Sequence, residues 1–301
     1  MRTAEYDPIT LEILWNRLIA IADEAAAALV RTSFSSTVRE SNDYACVLLD
    51  ANGDTLAENR GSIPSFCGCV ARTMRHFLER FPASTWQSGD VVITNDPWMA
   101  TGHRPDFTMA SPILHKGKLV GFAGSIAHSP DIGGVLWSAD CTDVFEEGLG
   151  VPPLRFYRAG VLNQEFVEIF RSNCRVPDQA LGDLQAMAAA GDVMVAGVIE
   201  LLDDQDLKDL SSLGRVLQSR AEAAMRKAIK AVPDGTYRSV VELDGFDDPI
   251  RIVCALTVAD DEITVDYSGT SMEINRGINS VMNYTWAYST YRINCALEGS
   301  R

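Results

Sequence analysis

The stretch FTMASPILHKGKLVGFAGSIAH, residues 107–128, contains two apolar segments joined by the polar turn HKGK. The glycine permits the backbone conformation that a tight hairpin turn requires. The stretch therefore predicts a β-hairpin whose second strand ends near His128. In such a hairpin, the residues just before the first strand and those at the end of the second strand lie at the same edge of the sheet.

Helical and extended patterns flank this hairpin. Asp7 and Pro8 form a typical helix start, and apolar residues at helical spacing continue to about Arg31. Further helices are predicted over 66–81, 165–202 with a break at Pro177, and 207–232. Strands are predicted for DYACVLLD, TLAEN, DVVITN, RSVVEL, IRIVCALTV and EITVDYS.

These patterns predict an α+β fold with mixed helices, mainly antiparallel or mixed sheets, and a metal site on loops at a sheet edge. The composition changes near Val232, where short alternating strands replace the helices. We therefore expect a metal-binding N-terminal domain with a helical segment, residues 1–232, and a β-rich region, residues 233–301.

Composition argues against several classes of function. The formal net charge of −15 opposes binding to nucleic-acid phosphates. The apolar stretch IAIADEAAAALV is interrupted by Asp23 and Glu24, so we expect no membrane span. The seven cysteines are scattered and odd in number, which favours buried, reduced thiols in a cytoplasmic protein. Neither G-x-x-x-x-G-K-[ST] nor G-x-G-x-x-G after a strand occurs, so the chain shows no nucleotide-binding motif.

The segment NDPWMATGHRPD, residues 95–106, places His103 and Asp106 just before the first hairpin strand. Gly102 and Pro105 disfavour a helix there, so both side chains should project from a loop. The hairpin would bring them close to His128, and two imidazoles with one carboxylate suit Fe, Mn or Zn. From spacing alone, capping or surface roles are equally open for these residues.

Other polar residues have simpler explanations or weaker signals. Asp43, at the start of DYACVLLD, is either a fourth ligand or a turn residue. His76 and His115 are interpreted as surface residues. The acidic stretch SADCTDVFEEGLGVPP should be mostly solvated, although Glu146 or Glu147 could reach the site from this loop.

Several motifs together carry a family resemblance. They are DPITLEILWNRL, RTSFSSTVRESNDYACVLLD, NDPWMATGHRPDF, AHSPDIGG, EEGLGVPPLRF, VPDQALGDLQA and PDGTYRS. Over nearly its whole length the chain resembles the hydantoinase B family. That family includes the B half of 5-oxoprolinase, caprolactamase, and the metal-bearing subunits of acetone and acetophenone carboxylases.

The resemblance implies a divalent metal, Zn, Mn or Fe, held by His103, Asp106 and His128, with Asp43 as the fourth ligand. It also implies a hetero-oligomer with a hydantoinase A-type ATPase subunit, which binds ATP and phosphorylates the substrate. Metal-bound water would then open a cyclic amide. Asp131 is a candidate for positioning this water, and Glu146 for closing the site.

Alternatives to the hydrolase remain open at this point. The chain could be the metal-bearing subunit of an ATP-dependent ketone carboxylase, or a non-catalytic structural subunit whose metal only ties loops together. A facial-triad oxygenase would need an oxygen-dependent co-substrate that nothing in the sequence indicates. Trp98, Met99 and Ala100 stand where many relatives carry glycines, which leaves the substrate undetermined. Relatives also continue well past the position of Arg301, so the resemblance implies a longer native chain.

Overall fold

A computed structural model describes residues 6–298 of the chain. Helices and strands are numbered separately in chain order. The helices are α1 (Pro8–Thr32), α2 (Ser36–Arg39), α3 (Pro64–Arg80), α4 (Gln164–Asn173), α5 (Pro177–Asp204), α6 (Ser211–Ile229) and α7 (Met282–Glu298). The strands are β1 (Tyr44–Asp50), β2 (Thr55–Glu58), β3 (Val91–Thr94), β4 (Asp106–His115), β5 (Lys118–His128), β6 (Leu154–Arg158), β7 (Val161–Leu162), β8 (Gly235–Leu243), β9 (Ile250–Ala259) and β10 (Glu262–Asp266).

A seven-stranded sheet in the order β2-β1-β5-β4-β3-β6-β7 forms the centre of the molecule. Each neighbouring pair of strands in it is antiparallel. The predicted hairpin is confirmed as β4 and β5, which lie in the middle of this sheet. Lys116 and Gly117 at its turn both have positive φ angles, 50° and 79°, as a tight hairpin connection requires.

Helices cover both faces of this sheet. All seven residues of β1 are buried, and their side chains alternate between two hydrophobic clusters. Cys46 and Leu48 belong to the cluster beneath α1 and α5. Val47 and Leu49 belong to the cluster beneath α3, against which α7 packs. This double burial explains why β1 is apolar from Tyr44 to Leu49 rather than alternating.

The central helix α5 is the one helix among residues 6–298 that is long and apolar enough to cross a membrane. It packs against α1, β4 and β5, and much of its length belongs to the main hydrophobic cluster. Its composition is therefore accounted for by burial under the sheet.

A second, three-stranded sheet in the order β10-β9-β8 follows α6. It begins at Gly235, close to the predicted change at Val232, although the division of the chain into two domains stays a prediction. The region after 233 is not purely extended, because α7 returns to pack on α3. Neither α7 nor the short strands β6 and β7 were predicted from the sequence.

The structure also corrects two details of the prediction. His115 is not a surface residue: its side chain is 4% exposed, and its Nε2 lies 2.9 Å from Asp203 Oδ1. Helix α6 begins at Ser211 rather than near Leu207, because the Asp209 carboxylate accepts a hydrogen bond from the Ser211 amide. His76 lies at the surface as predicted, beside Glu79.

The cysteines are unpaired throughout the chain, and most are buried. Cys174 and Cys254 are half-buried, and Cys295 on α7 is exposed. Burial raises the pKa of Cys46 to about 12, which makes the reactive thiolate scarce at neutral pH. The prediction of buried thiols therefore holds for four of the seven positions.

Candidate metal centre

The candidate site lies at the edge of the central sheet where β5 ends and β4 and β1 begin. Asp106, the first residue of β4, stands directly opposite His128, the last residue of β5. The His128 backbone amide donates to the carbonyl of Asp43, the residue before β1, over 3.1 Å. The hairpin brings Asp106 and His128 together as the sequence predicted, and the neighbouring strand adds Asp43, whose position the sequence left open.

His103 reaches the same edge from the loop between β3 and β4. Gly102 has φ +103°, a conformation that side chains rarely adopt, and an added Cβ there would lie 3.3 Å from Val281 Cγ2. The start of this loop is tied to two helices. Thr73 Oγ1 of α3 donates to the Met99 carbonyl over 2.7 Å, and Asn283 Nδ2 of α7 donates to the carbonyls of Met99 and Ala100.

Asp106 is the centre of the cluster. Its Oδ2 lies 2.9 Å from His103 Nε2, and its Oδ1 lies 2.8 Å from His128 Nδ1. Thr101 Oγ1 also donates to Oδ2 over 2.6 Å. The candidate ligand atoms of the two histidines and Asp106 all lie within 4.8 Å of one another. The three residues therefore converge on one point.

Charge and burial act against each other at this point. Burial would raise the pKa of Asp106, but hydrogen bonds and charges from His103 and His128 hold that pKa far below its ordinary value. Burial would also lower the pKa of His103, but the hydrogen bond to Asp106, its charge, and the charges of Glu147 and Asp43 raise it above 6.5. The carboxylate is thus ionised and concentrates negative potential between two imidazoles.

Asp43 adds a second carboxylate at the rim of this cluster. Its Oδ2 lies 4.0 Å from His128 Nδ1, while its Oδ1 is buried and has no hydrogen-bond partner among the described residues. Burial and the nearby charge of Asp106 raise the pKa of Asp43, although both histidines oppose the shift. A buried carboxylate oxygen without a donor is costly, and a cation would supply the missing partner.

These residues fit a divalent cation by two independent observations. Two ligands held about 2.1 Å from one ion at tetrahedral or octahedral angles lie roughly 3.0 to 3.4 Å apart. The Asp106–His103 and Asp106–His128 contacts, 2.9 and 2.8 Å, are close to that separation. The second observation is Asp43 Oδ1, which has no hydrogen-bond partner among the described residues and lies beside two imidazoles and one carboxylate. Two imidazoles with carboxylates suit Zn, Mn or Fe as ligands.

Asp131 does not join this site, contrary to our expectation. Its Oδ1 accepts from the Gly133 amide and the Arg175 guanidinium. Its Oδ2 accepts from the backbone amides of Arg175 and Val176. With four donors satisfied, the Asp131 carboxylate ties its turn to the start of α5 and has no lone pair left for positioning a water.

Glu146 does not reach the site either, and Glu147 lies beside His103 instead. Glu146 is exposed, and its Oε1 accepts from the amide and the hydroxyl of Thr142. Glu147 Oε2 accepts from the Arg104 amide over 2.8 Å, beside His103. Adjacent acidic residues on an irregular turn point in different directions, which the sequence does not reveal.

Two further residues at the site were not singled out by sequence reasoning. Thr101, which bonds Asp106, lies two positions before His103 in the same loop and could have been noticed as a hydroxyl beside the ligands. The rings of Trp137 and His103 lie at an interplanar angle of 76°, with their centroids 6.4 Å apart. Nothing in the spacing of Trp137 relates it to the histidines.

Comparison with known proteins places the chain in a family. The family described as Hydantoinase B/oxoprolinase matches residues 7–300. The chain belongs to the hydantoinase B/oxoprolinase family. The resemblance inferred from the motifs is thereby confirmed.

Relatives in this family include components of hydantoin- and lactam-related proteins. The chain is 33% identical over 281 residues to the B component of the "Putative D-/L-hydantoinase" of Pseudomonas sp. strain NS671, covering 89% of this chain and 48% of that protein. It is 29% identical to the beta chain of the caprolactamase of Pseudomonas jessenii, covering 79% of this chain and 41% of that protein. The chain therefore spans about half the length of these curated relatives.

Solved structures share the architecture of this hydantoinase B/oxoprolinase chain. The ATP-dependent caprolactamase from Pseudomonas jessenii superposes with a TM-score of 0.88 at 27% identity, over 96% of this chain and 50% of that one. A nucleotide-free acetone carboxylase gives a TM-score of 0.86 at 18% identity, over 97% of this chain and 41% of that one. The first likeness confirms the predicted α+β fold, and the second concerns the fold alone.

Proposed function

We propose that this chain is the metal-bearing B-type subunit of an ATP-dependent cyclic-amide hydrolase. The observation that carries the proposal is the convergence of His103, Asp106 and His128 beside the unpartnered Asp43 Oδ1. Family membership supports it, because relatives are named 5-oxoprolinase and caprolactamase. We propose all four residues as the ligands of a divalent cation.

A divalent cation held by these residues supplies Lewis acidity, which lowers the pKa of water and polarises a carbonyl oxygen. Neighbouring residues of the chain hold the proposed ligand side chains in place through hydrogen bonds. Thr101 fixes the Asp106 carboxylate through its hydroxyl. The amide of Arg104 and the carboxylate of Glu147 join the His103 loop to the neighbouring turn, so His103 is held from both sides.

We propose further that the substrate is activated by phosphorylation on a separate hydantoinase A-type ATPase subunit. Two relatives are named as the B and beta components of larger assemblies, which supports the existence of a partner. The absence of a phosphate-binding motif in this chain supports placing ATP on that partner. A cytoplasmic location follows from that reasoning, because ATP is available and thiols stay reduced in the cytoplasm.

The test is to purify the chain in complex with such an ATPase subunit and to measure metal content and turnover together. Hydantoin, 5-oxoproline, ε-caprolactam and acetone with bicarbonate form the substrate panel, each with and without ATP. We expect ATP-dependent ring opening that does not require bicarbonate. His103→Ala should abolish both metal and turnover, whereas His76→Ala, a surface histidine on α3, should change neither.

The other functions predict different outcomes of this experiment. Bicarbonate-dependent formation of an acid from acetone would replace the hydrolase with a ketone carboxylase. A stoichiometric metal without turnover of any substrate, and without an exchangeable water at the metal, would favour the structural-subunit alternative.

A further inference from the structure

Trp137 is an exposed aromatic residue beside the candidate metal centre. Its side chain is 74% exposed, although tryptophans are highly buried on average. Its ring meets that of His103 edge-on, at a centroid distance of 6.4 Å and an interplanar angle of 76°. The indole therefore lies beside a candidate ligand, while most of its surface remains exposed.

The loop that carries Trp137 holds a strained conformation at this position. Leu136 has a φ of +61°, which is unusual for a residue other than glycine and is found at functional sites. Its side chain is half-buried and packs against the main hydrophobic cluster. The neighbouring backbone is tied down as well, since the Val135 amide donates to the Glu146 carbonyl over 2.8 Å. The half-buried Leu136 thus packs on the protein, while the next residue, Trp137, is exposed.

We propose that Trp137 is a specificity-determining residue of this site, whose indole face stacks on the ring of the substrate. This inference rests on the proposed function. A flat ring held over the indole would present a carbonyl to the neighbouring ligand cluster, and aromatic faces favour such offset stacking. A small ketone such as acetone has no ring and would gain little from this contact. The site therefore selects planar cyclic amides.

A different role for Trp137 would be to support His103 through the edge contact alone. The two roles make separable predictions. A supporting residue would affect all substrates equally and would weaken metal binding when it is removed. A stacking residue would affect ring substrates selectively, mainly through KM, and would leave the metal in place.

The experiment compares Trp137→Ala and Trp137→Phe in the complex with the ATPase subunit. For hydantoin and 5-benzylhydantoin, we expect Trp137→Ala to raise KM roughly 3- to 10-fold, the range given by a lost aromatic contact. Trp137→Phe should retain most of the affinity, because it keeps an aromatic face. Metal content should equal that of the parent protein in both variants.

A second measurement does not depend on turnover. Acrylamide quenches the fluorescence of exposed tryptophans. The part of the quenching that the parent shows and Trp137→Phe lacks therefore comes from the Trp137 indole, and 5-benzylhydantoin should reduce that part. Trp15→Ala is the matched control: Trp15 is 43% exposed and lies on α1 near Arg17, which pairs with Asp204. Asp204 follows Asp203, which pairs with His115 at the hairpin turn. This turn lies about 30 Å along the strands from Asp106, so Trp15 is far from the candidate metal centre.

Two results would overturn the inference. One is an equal loss of hydantoin turnover and metal in Trp137→Ala, which would make the residue a support for His103. The other is unprotected quenching at saturating 5-benzylhydantoin. If the complex turns over no cyclic amide, the proposed function fails, and the quenching measurement still decides whether Trp137 receives a ring.

Discussion

At the scale of single residues, Asp106 organises the site. It is the buried residue that both histidines and Thr101 contact, and its ionised form is stabilised by all three. Removing either histidine leaves the backbone pairing untouched, because the His128 amide bonds Asp43 through main-chain atoms. The ligands can therefore be replaced without loss of the fold.

The first prediction concerns these ligands. His103→Ala and His128→Ala should each remove the metal and should each lower the thermal unfolding temperature of the metal-free protein, because the buried Asp106 carboxylate loses one of its hydrogen-bond partners. Elemental analysis of the purified variants measures the first effect, and calorimetry after chelation measures the second. His76→Ala serves as the control. Stoichiometric metal in either ligand variant would contradict the assignment.

Asp43 supports a second prediction, at the same scale. Its Oδ1 has no donor in the described structure, so a ligand role predicts lower metal affinity without any lost protein hydrogen bond. Asp43→Ala should weaken metal binding by at least about 10- to 100-fold, the loss that follows removal of a residue that only orients a ligand. Asp43→Asn, which keeps an oxygen donor but removes the charge, should weaken it less. Competition titration with a chelating dye gives the affinities, and equal affinities in all three proteins would exclude Asp43 from the site.

Sequence reasoning at this scale succeeded where backbone pairing determines position. His128 and Asp106 could be paired because a hairpin fixes its own register. Glu147, Asp131 and Trp137 could not be assigned, because their side-chain directions depend on irregular turns that are set by contacts distant in sequence, such as Arg175 with Asp131.

At the scale of elements, α7 links the end of the described chain to the metal loop. Asn283 at its start is 6% exposed, and its Nδ2 donates to Met99 and Ala100 over 3.0 and 2.7 Å. The helix was not predicted because its sequence, MNYTWAYSTYRINCALE, mixes aromatic and polar residues without an apolar stripe at helical spacing. Its position comes from packing on α3, which is a tertiary contact.

This arrangement leads to a third prediction. Asn283→Ala leaves the Ala100 carbonyl without its side-chain donor, while the Met99 carbonyl keeps the Thr73 hydroxyl. The loss should lower the free energy of unfolding by about 1 to 3 kcal/mol. It should also weaken metal binding, because His103 lies in the same loop. Asn294→Ala, an exposed position on the same helix, controls for the change in helix propensity. Urea unfolding and metal titration measure the two effects, and an unchanged metal affinity would separate α7 from the site.

At the scale of the whole molecule, the central sheet differs from the doubly wound nucleotide-binding folds. Those place phosphates where parallel strands deliver glycine-rich loops to helix N-termini. Every strand pair of the seven-stranded sheet is antiparallel, and the sequence has no phosphate-binding loop.

The last prediction follows from that architecture: the chain alone neither binds nor hydrolyses ATP, whereas its complex with an A-type ATPase subunit does both. In the proposed function, an unstable phosphorylated intermediate passes between the two sites without meeting bulk water, so we expect a permanent interface of roughly 2,000 Å² or more. Calorimetric titration of Mg-ATP into the isolated chain should therefore give no binding heat, and co-expression should yield a stable complex on gel filtration. Tight ATP binding by the isolated chain would reveal a nucleotide site that neither the sequence nor the sheet predicts. If the chain elutes apart from the ATPase subunit, the intermediate cannot pass directly between the two proteins. The proposal that one subunit phosphorylates the substrate and the other hydrolyses it would then be wrong.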